Sequence, residues 1–247
     1  MWHVAVPVAP LRAAPDDRAE AVSELLAGAR VELLESGERD WVHVRNAMDG
    51  YRGWCDRKQL AEGDLDGAVP WWESLVRCER LEDGATVWMP WGTAAVPLET
   101  GLSRIGAWTF AHPDVRTARS GCPFGIAREW LGVPYRWGGK SAFGVDCSGL
   151  VQQVFASLGT ALPRDAADQI HCGTPIAYSD ATAGDVAFFE NAQGRVVHVG
   201  ILGDSSSILH AAGEVRIDRL TAEGIHRIPE GKLTHSLHGI RRFTHAI

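Results

Sequence analysis

The stretch Asp146–Leu158 reads DCSGLVQQVFASL and is followed by Gly159. Its apolar residues recur three and four positions apart, which is the spacing of one buried face of a helix. Asp146 belongs to the residue types that cap helix N-termini, and glycine commonly follows the last turn. The sequence therefore predicts a helix that begins beside Cys147, and this helix determines the fold of the region around it.

The chain around this helix is predicted to form one α+β domain over residues 118–247. A shorter helix, Phe124–Leu131, precedes it and stops at Gly132 and Pro134. Apolar stretches of strand length follow it, at Val186–Phe189, Val196–Leu202, Ser207–Ala212, Val215–Asp218 and Gly239–Phe243. Helices followed by an antiparallel sheet are typical of the α+β class.

The first half of the chain has a different pattern. Short β-like runs separated by polar turns lie at Val4–Val8, Arg30–Leu34, Trp41–Arg45 and Tyr51–Cys55. This spacing predicts a small β-barrel over residues 1–62. Two further runs, Thr86–Met89 and Ala94–Pro97, predict a second, irregular β module over residues 63–117.

Composition excludes several classes of protein. With 31 acidic against 24 basic residues and a net charge of −7, the composition does not predict the basic surface by which proteins bind nucleic acids or anionic membranes. The sequence begins with neither the charged segment nor the apolar segment of a signal peptide, so no signal peptide is predicted. A cytoplasmic location is the expectation that follows. The 5 cysteines form no Cys-x-x-Cys pair, which disfavours a disulfide framework or a zinc site.

Cys147 is the candidate nucleophile. A thiol attacks well only as the thiolate, and the positive end of a helix dipole with its unpaired N–H groups favours that form. Asp146 opposes this effect in part. A buried cysteine is also a common inert core residue, so the prediction depends on a base nearby.

Two histidines interrupt apolar strands and are the candidate partners of Cys147. His198 lies in Val196–Leu202 and His210 in Ser207–Ala212. If the turn at Gly203–Ser205 has three residues, antiparallel pairing places the two histidines directly opposite each other. One would act as the base and the other would orient it. The remaining histidines are predicted to be surface residues: His3, His43, His112, His171, His226, His235, His238 and His245.

A glycine- and aromatic-rich segment, Gly132–Lys140, precedes the nucleophile and is predicted to wall the cleft. Its Tyr135 could donate a hydrogen bond to an oxyanion. The alternative is a simple packing role for this ring.

Several segments together resemble the NlpC family of peptidoglycan cysteine peptidases. They are Tyr135–Gly139, Asp146–Val151, Pro163–Ala166, Gly184–Asp185 and His198–Ile201. Pro10–Arg12, Ser23–Gly28 and Asp49–Trp54 extend the resemblance to the bacterial SH3-type domains of one branch, which is similar to the γ-D-glutamyl-L-diamino acid endopeptidases, or dipeptidyl-peptidases VI.

The resemblance implies a papain-like catalytic domain preceded by one or two SH3-type β-barrels. It implies that Cys147 is the nucleophile, His198 the base and His210 the orienting residue, with Tyr135 at the oxyanion and no cofactor. It further implies that the first SH3-type domain closes one end of the cleft. The residues that would then hold the substrate's amine and γ-D-Glu are Tyr51, Glu20, Asp146 and Ser148.

The sequence thus predicts a cysteine endopeptidase that cuts the γ-D-glutamyl-L-diamino acid bond of short cell-wall peptides with a free amino terminus, in murein peptide recycling. Three alternatives stay open: a lytic endopeptidase acting on intact wall, a non-catalytic muropeptide-binding module, and an acyltransferase on the same fold. No partner among nucleic acids or membranes is expected.

Overall fold

The computed structural model describes residues 1–204 and 206–244. The chain divides into two compact units. The first contains Met1–Arg119 and Trp137–Phe143, and the second contains Ser120–Arg136 and Gly144–Ile247. The first unit therefore includes Trp137–Phe143, a short piece of chain that comes just before Cys147 in the sequence.

The first unit begins with a sheet that contains seven strands in the order β3-β2-β6-β5-β4-β1-β7. These are β1 (Trp2–Val4), β2 (Val8–Arg12), β3 (Ala21–Leu26), β4 (Arg30–Ser36), β5 (Trp41–Asn46), β6 (Arg52–Asp56) and β7 (Leu60–Glu62), with a 3-10 turn at Arg57–Gln59. The side chains of alternate residues, such as Val42 and Val44, point into one apolar core. Tyr51 packs against the edge of this core.

A second sheet of six strands follows in the same unit, in the order β10-β9-β13-β12-β11-β8. Its strands are β8 (Val69–Pro70), β9 (Leu75–Arg80), β10 (Ala85–Pro90), β11 (Ala94–Glu99), β12 (Leu102–Ile105) and β13 (Trp108–Ala111). It has its own core, in which Trp71 and Met89 are both 1% exposed. The two sheets join where the Ala94 N–H donates to the Ala27 carbonyl over 2.8 Å.

The segment Trp137–Phe143, which includes β14 (Lys140–Ser141), is held by side chains of the first sheet. The Trp137 indole N–H donates to the Glu20 carboxylate over 2.6 Å, and the Lys140 backbone N–H donates to Glu24 over 2.7 Å. The Lys140 ammonium lies 3.6 Å from an Asp49 carboxylate oxygen, with both side chains at most 2% exposed. A buried ion pair of this kind specifies where the segment lies.

The described residues of the second unit form three helices and an antiparallel sheet. The helices are α1 (Pro123–Ala127), α2 (Cys147–Ser157) and α3 (Ala166–Gln169), with 3-10 turns at Arg128–Trp130 and Tyr178–Asp180. The strands are β15 (Gly144–Val145), β16 (Thr174–Ile176), β17 (Val186–Glu190), β18 (Val196–Asp204), β19 (Ser207–Ala212), β20 (Glu214–Thr221), β21 (Gly224–Arg227) and β22 (Lys232–Arg242). The large sheet has the order β16-β22-β17-β18-β19-β20-β21, and α2 packs against β18.

The elements predicted around the nucleophile are confirmed. Helix α2 begins at Cys147 with Asp146 as its N-cap, and β19 has the predicted bounds. The predicted strand Val4–Val8 is wrong, because the chain leaves the sheet between β1 and β2, where Pro7 has no N–H to donate. The last strand, β22, begins well before the predicted Gly239.

Hydropathy gives one further result for the helices. Within residues 1–204 and 206–244, none of them is both long enough and apolar enough to cross a membrane.

Candidate active site

The first turn of α2 is fixed by a buried ion pair. One Asp146 carboxylate oxygen accepts the Gly149 N–H over 2.7 Å, as an N-cap does. Arg164 donates to both carboxylate oxygens, over 3.0 and 2.5 Å, and its guanidinium also donates to the Ser148 hydroxyl over 2.9 Å. The guanidinium and carboxylate side chains are 1% and 6% exposed. Asp146 therefore holds the backbone that carries Cys147.

The Cys147 thiol is protonated in the resting protein. Burial is the largest cause that raises the pKa of Cys147, and the Asp146 charge is the second; together they bring it to about 12. Hydrogen bonds from the Val199 and Ser148 backbone and the charge of Arg164 lower this pKa by less. We expected the helix N-terminus to favour the thiolate. The desolvation of a side chain that is 7% exposed is the larger effect.

His198 and His210 are hydrogen-bonded to each other. The Nε2 of His198 lies 2.8 Å from the Nδ1 of His210, and the two side chains are 6% and 0% exposed. Burial, followed by the neighbouring His210 and His235, lowers the pKa of His198 well below its ordinary value. His198 is therefore neutral at pH 7, and a neutral imidazole can accept a proton.

The predicted register of these strands is wrong by two residues. His210 lies opposite Gly200, not opposite His198. Pairing continues to Asp204 and Ser207 through a bulge, so the connection is shorter than the three-residue turn we expected; Ser205 of that predicted turn lies outside the described residues. The two rings still meet because positions two residues apart on one strand share a face.

Gly200 makes this diagonal contact possible. A Cβ atom at position 200 would lie 2.9 Å from the Cβ of His210 and 2.9 Å from the Ile208 side chain. Because real Cβ atoms do not approach that closely, His210 occupies its position only while residue 200 has no side chain.

We therefore expect Gly200→Ala to displace His210 and to lower kcat on the order of 10²-fold, since a shift of about 1 Å in a reacting group costs this much. The matched control is Gly239→Ala, in the same sheet, where a Cβ would meet nothing within 4 Å. Steady-state kinetics with thermal melting of both variants checks this. A Gly200→Ala protein within threefold of wild type would contradict it.

His235 was predicted to be a surface residue and is instead half-buried against the candidate base. Its ring stacks on His198 with centroids 4.2 Å apart and an interplanar angle of 23°. His3 was also predicted to be a surface residue. It is buried, at 1% exposure, so that prediction is wrong. His245 lies outside the described residues. Apolar periodicity could not have identified His3 or His235 as buried, because their partners come from distant strands.

Asp218 is a second residue near the histidines that the sequence did not single out. Its carboxylate lies 3.0 Å from the Nε2 of His210 and is 2% exposed. The available signal was an acidic residue at the end of an apolar predicted strand, Val215–Asp218. Such a residue is buried only when it has partners.

Tyr135 lies two residues before the segment Trp137–Phe143 and belongs to the second unit. Its backbone N–H donates to the Gly213 carbonyl over 2.9 Å. Burial, followed by the charges of Cys147 and Asp146, raises the pKa of the Tyr135 phenol to about 12. The hydroxyl therefore keeps its proton and stays a hydrogen-bond donor.

The state of the thiol leads to a prediction that requires no substrate. Because the pKa of Cys147 is raised to about 12, its alkylation by iodoacetamide should rise about tenfold per pH unit from pH 6 to pH 9. Mass spectrometry of the peptide that carries Cys147 measures this rate. Alkylation of the exposed Cys122 in the same digest is the control that the reagent is active. A plateau below pH 7 would show a thiolate held by His198 and would contradict the prediction.

Together these features define a class of protein. A thiol on the first turn of a helix, packed against an antiparallel sheet that carries two hydrogen-bonded histidines, is the arrangement of a papain-like cysteine peptidase.

Comparison with known families agrees. Residues 132–229 match the NlpC/P60 family, and residues 11–60 match the bacterial dipeptidyl-peptidase SH3 domain. The chain therefore carries an NlpC/P60 cysteine peptidase domain together with a dipeptidyl-peptidase SH3 domain.

Relatives carry consistent names. A γ-D-glutamyl-L-lysine dipeptidyl-peptidase of Bacillus subtilis (strain 168) is 43% identical over 84 residues, which is 33% of this chain and 28% of the relative. The dipeptidyl-peptidase 6 of Lysinibacillus sphaericus is 29% identical over 255 residues, or 86% of this chain and 89% of the relative. The match to the first relative thus spans less than a third of its length.

A solved structure shows the same fold over nearly the whole chain. An NlpC/P60 family protein from Bacillus cereus ATCC 10987 superposes with a TM-score of 0.82 at 22% identity, covering 98% of each chain. The predicted fold class, a papain-like α+β domain preceded by one or two SH3-type β-barrels, is confirmed, with an SH3-type match over residues 11–60.

Proposed function

We propose that this protein hydrolyses the γ-D-glutamyl-L-diamino acid bond of short cell-wall peptides with a free amino terminus and releases L-Ala-γ-D-Glu. The observation that carries the proposal is the hydrogen bond between His198 and His210 over 2.8 Å, on the strand whose Val199 N–H donates to the Cys147 thiol. The names of the relatives support the bond that is cut.

Acylation begins from a neutral pair in this proposal. His198 accepts the thiol proton as the Cys147 sulfur attacks the γ-carbonyl carbon, and the carbonyl oxygen becomes an oxyanion. The protonated Tyr135 hydroxyl donates to that oxygen. His198 then gives its proton to the nitrogen of the diamino acid, the C–N bond breaks, and a thioester to Cys147 remains.

Deacylation repeats these steps with water. His198 takes a proton from water as its oxygen attacks the thioester carbon, and the C–S bond breaks with return of the proton to Cys147. His210 holds the His198 ring in place through both halves of the reaction. His198 carries the proton in each of these transfers.

Substrate recognition belongs to the proposal as well. Tyr51 and Glu20 are proposed to hold the free amine, and Asp146 and Ser148 the γ-D-Glu portion. In the structure the Glu20 carboxylate accepts from Trp137, and Asp146 and Ser148 are bound by Arg164. A cytoplasmic location and a role in murein peptide recycling complete the proposal.

The test uses L-Ala-γ-D-Glu-diaminopimelate and its lysine analogue, each with a free and a blocked amino terminus. Release of L-Ala-γ-D-Glu from the free peptides alone, followed by mass spectrometry, is the expected result. Cleavage of blocked peptides and of intact sacculi would favour the lytic alternative. Cleavage of none would favour a muropeptide-binding module, and a product carrying an added amine would indicate an acyltransferase.

A further inference from the structure

A buried carboxylate, that of Asp218, lies beside the two histidines and has no role in the reaction described above. Asp218 on β20 lies two residues along from Arg216, which is the residue paired with His210. Its Oδ2 lies 3.0 Å from the Nε2 of His210. Its Oδ1 accepts the Ile228 N–H over 2.9 Å and an Arg216 N–H over 3.0 Å.

We propose that Asp218 is a positioning residue that fixes the tautomers of both histidines and so leaves the Nδ1 of His198 free to accept the thiol proton. The inference rests on the proposed function in assigning the proton transfer to Cys147 and His198. Asp218 itself touches neither the thiol nor the substrate in this scheme.

The tautomers follow one from the next. A carboxylate only accepts hydrogen bonds, so the Nε2 of His210 must carry a proton. A His210 ring with this single proton has an unprotonated Nδ1, which accepts from the Nε2 of His198. The Nε2 of His198 therefore carries its proton, and the Nδ1 of His198 holds the lone pair.

Arg216 keeps this arrangement electrically balanced. Its guanidinium Nε lies 3.0 Å from the Asp218 carboxylate, so this buried carboxylate has a cation beside it without a second proton on His210. Burial raises the pKa of Asp218, but hydrogen bonds from His210, the Ile228 backbone and Arg216 outweigh burial and bring that pKa to about 2. The anchor is therefore an anion at all pH values at which the protein would work.

Asp218→Asn tests the inference sharply because the structure dictates how the amide must lie. The Ile228 N–H and the Arg216 N–H hold an oxygen at the Oδ1 position, and these two donors outnumber the single Arg216 Nε near the Oδ2 position, so the NH₂ group faces His210. The Nε2 of His210 must then accept a hydrogen bond from the amide. Both histidines therefore change tautomer, and a proton remains on the Nδ1 of His198. We expect kcat to fall on the order of 10²-fold or more with little change in KM, as a wrong tautomer does elsewhere.

Asp218→Ala separates positioning from packing. Alanine offers no donor, so the native tautomers stay accessible and kcat should fall less than in Asp218→Asn. A structural role predicts the reverse, because alanine removes more atoms and leaves a cavity. The control is Glu214→Gln on the same strand, an exposed carboxylate expected to stay within twofold of wild type.

The readout that needs no substrate is ¹⁵N NMR of the histidine rings, with signals assigned through His198→Asn and His210→Asn proteins. We expect protons on the Nε2 of both rings in wild type and on the Nδ1 of both in Asp218→Asn. A proton on the Nδ1 of wild-type His210, unchanged tautomers in Asp218→Asn, or a larger kcat loss in Asp218→Ala would each overturn the inference. The wild-type spectrum needs neither Asp218 variant, and it is unaffected by which peptide the enzyme cleaves.

Discussion

Replacing Cys147 by alanine should lower kcat on L-Ala-γ-D-Glu-diaminopimelate on the order of 10⁴-fold or more, the largest effect we expect from any single change. Without the sulfur no thioester can form, and what remains is the binding and oxyanion stabilisation of the cleft. Because alanine removes one buried atom, KM should change little. Rates of L-Ala-γ-D-Glu release by mass spectrometry measure the loss.

The control for this variant is Cys172→Ala, which removes a partly exposed thiol of the same unit. It should retain the wild-type rate. Melting curves of the two proteins separate a loss of chemistry from a loss of fold. If Cys147→Ala kept its activity, the cysteine peptidase mechanism would be disproved, whatever bond the enzyme cuts.

The second large effect concerns stability. Arg164→Met should lower the free energy of unfolding by about 3–5 kcal/mol, because it leaves the buried Asp146 carboxylate without its cation. The guanidinium here is 1% exposed and makes a two-pronged contact with that carboxylate. Equilibrium urea unfolding measures the change.

The matched control is another two-pronged pair on the surface. Arg116 donates to both oxygens of Glu73, over 2.5 and 2.9 Å, but is 52% exposed. Arg116→Met should cost less than about 1 kcal/mol, since water solvates both charges when the pair is broken. Equal losses in the two variants would show that burial does not decide the cost.

The helix that carries Cys147 could be predicted because its signals are local. Asp146 caps it, apolar spacing defines its buried face, and Gly159 follows it, all within one short stretch. The two histidines could be predicted for a related reason, since each is a polar residue within an apolar strand. Resemblance to a family then supplied their roles, which stay predictions.

Features that depend on distant strands could not be read in the same way. The register of β18 and β19 depends on a bulge between Leu202 and Asp204, which no residue type announces. His235 meets His198 only because β22 pairs with β17, and Asp218 meets His210 only because β20 pairs with β19. The effect of burial on the Cys147 thiol likewise exceeds the helix dipole only after the helix is packed.

The short piece of chain held by Glu20, Glu24 and Asp49 bears on how such proteins can be rebuilt by recombination. A crossover after Arg119 would not exchange a complete module, because Trp137–Phe143 folds with the barrels and is encoded inside the peptidase. New barrels would lack the buried carboxylate that pairs with Lys140, and the old peptidase would still carry that lysine. The two parts of the gene must therefore be inherited together, or the seven-residue segment must be replaced along with the barrels.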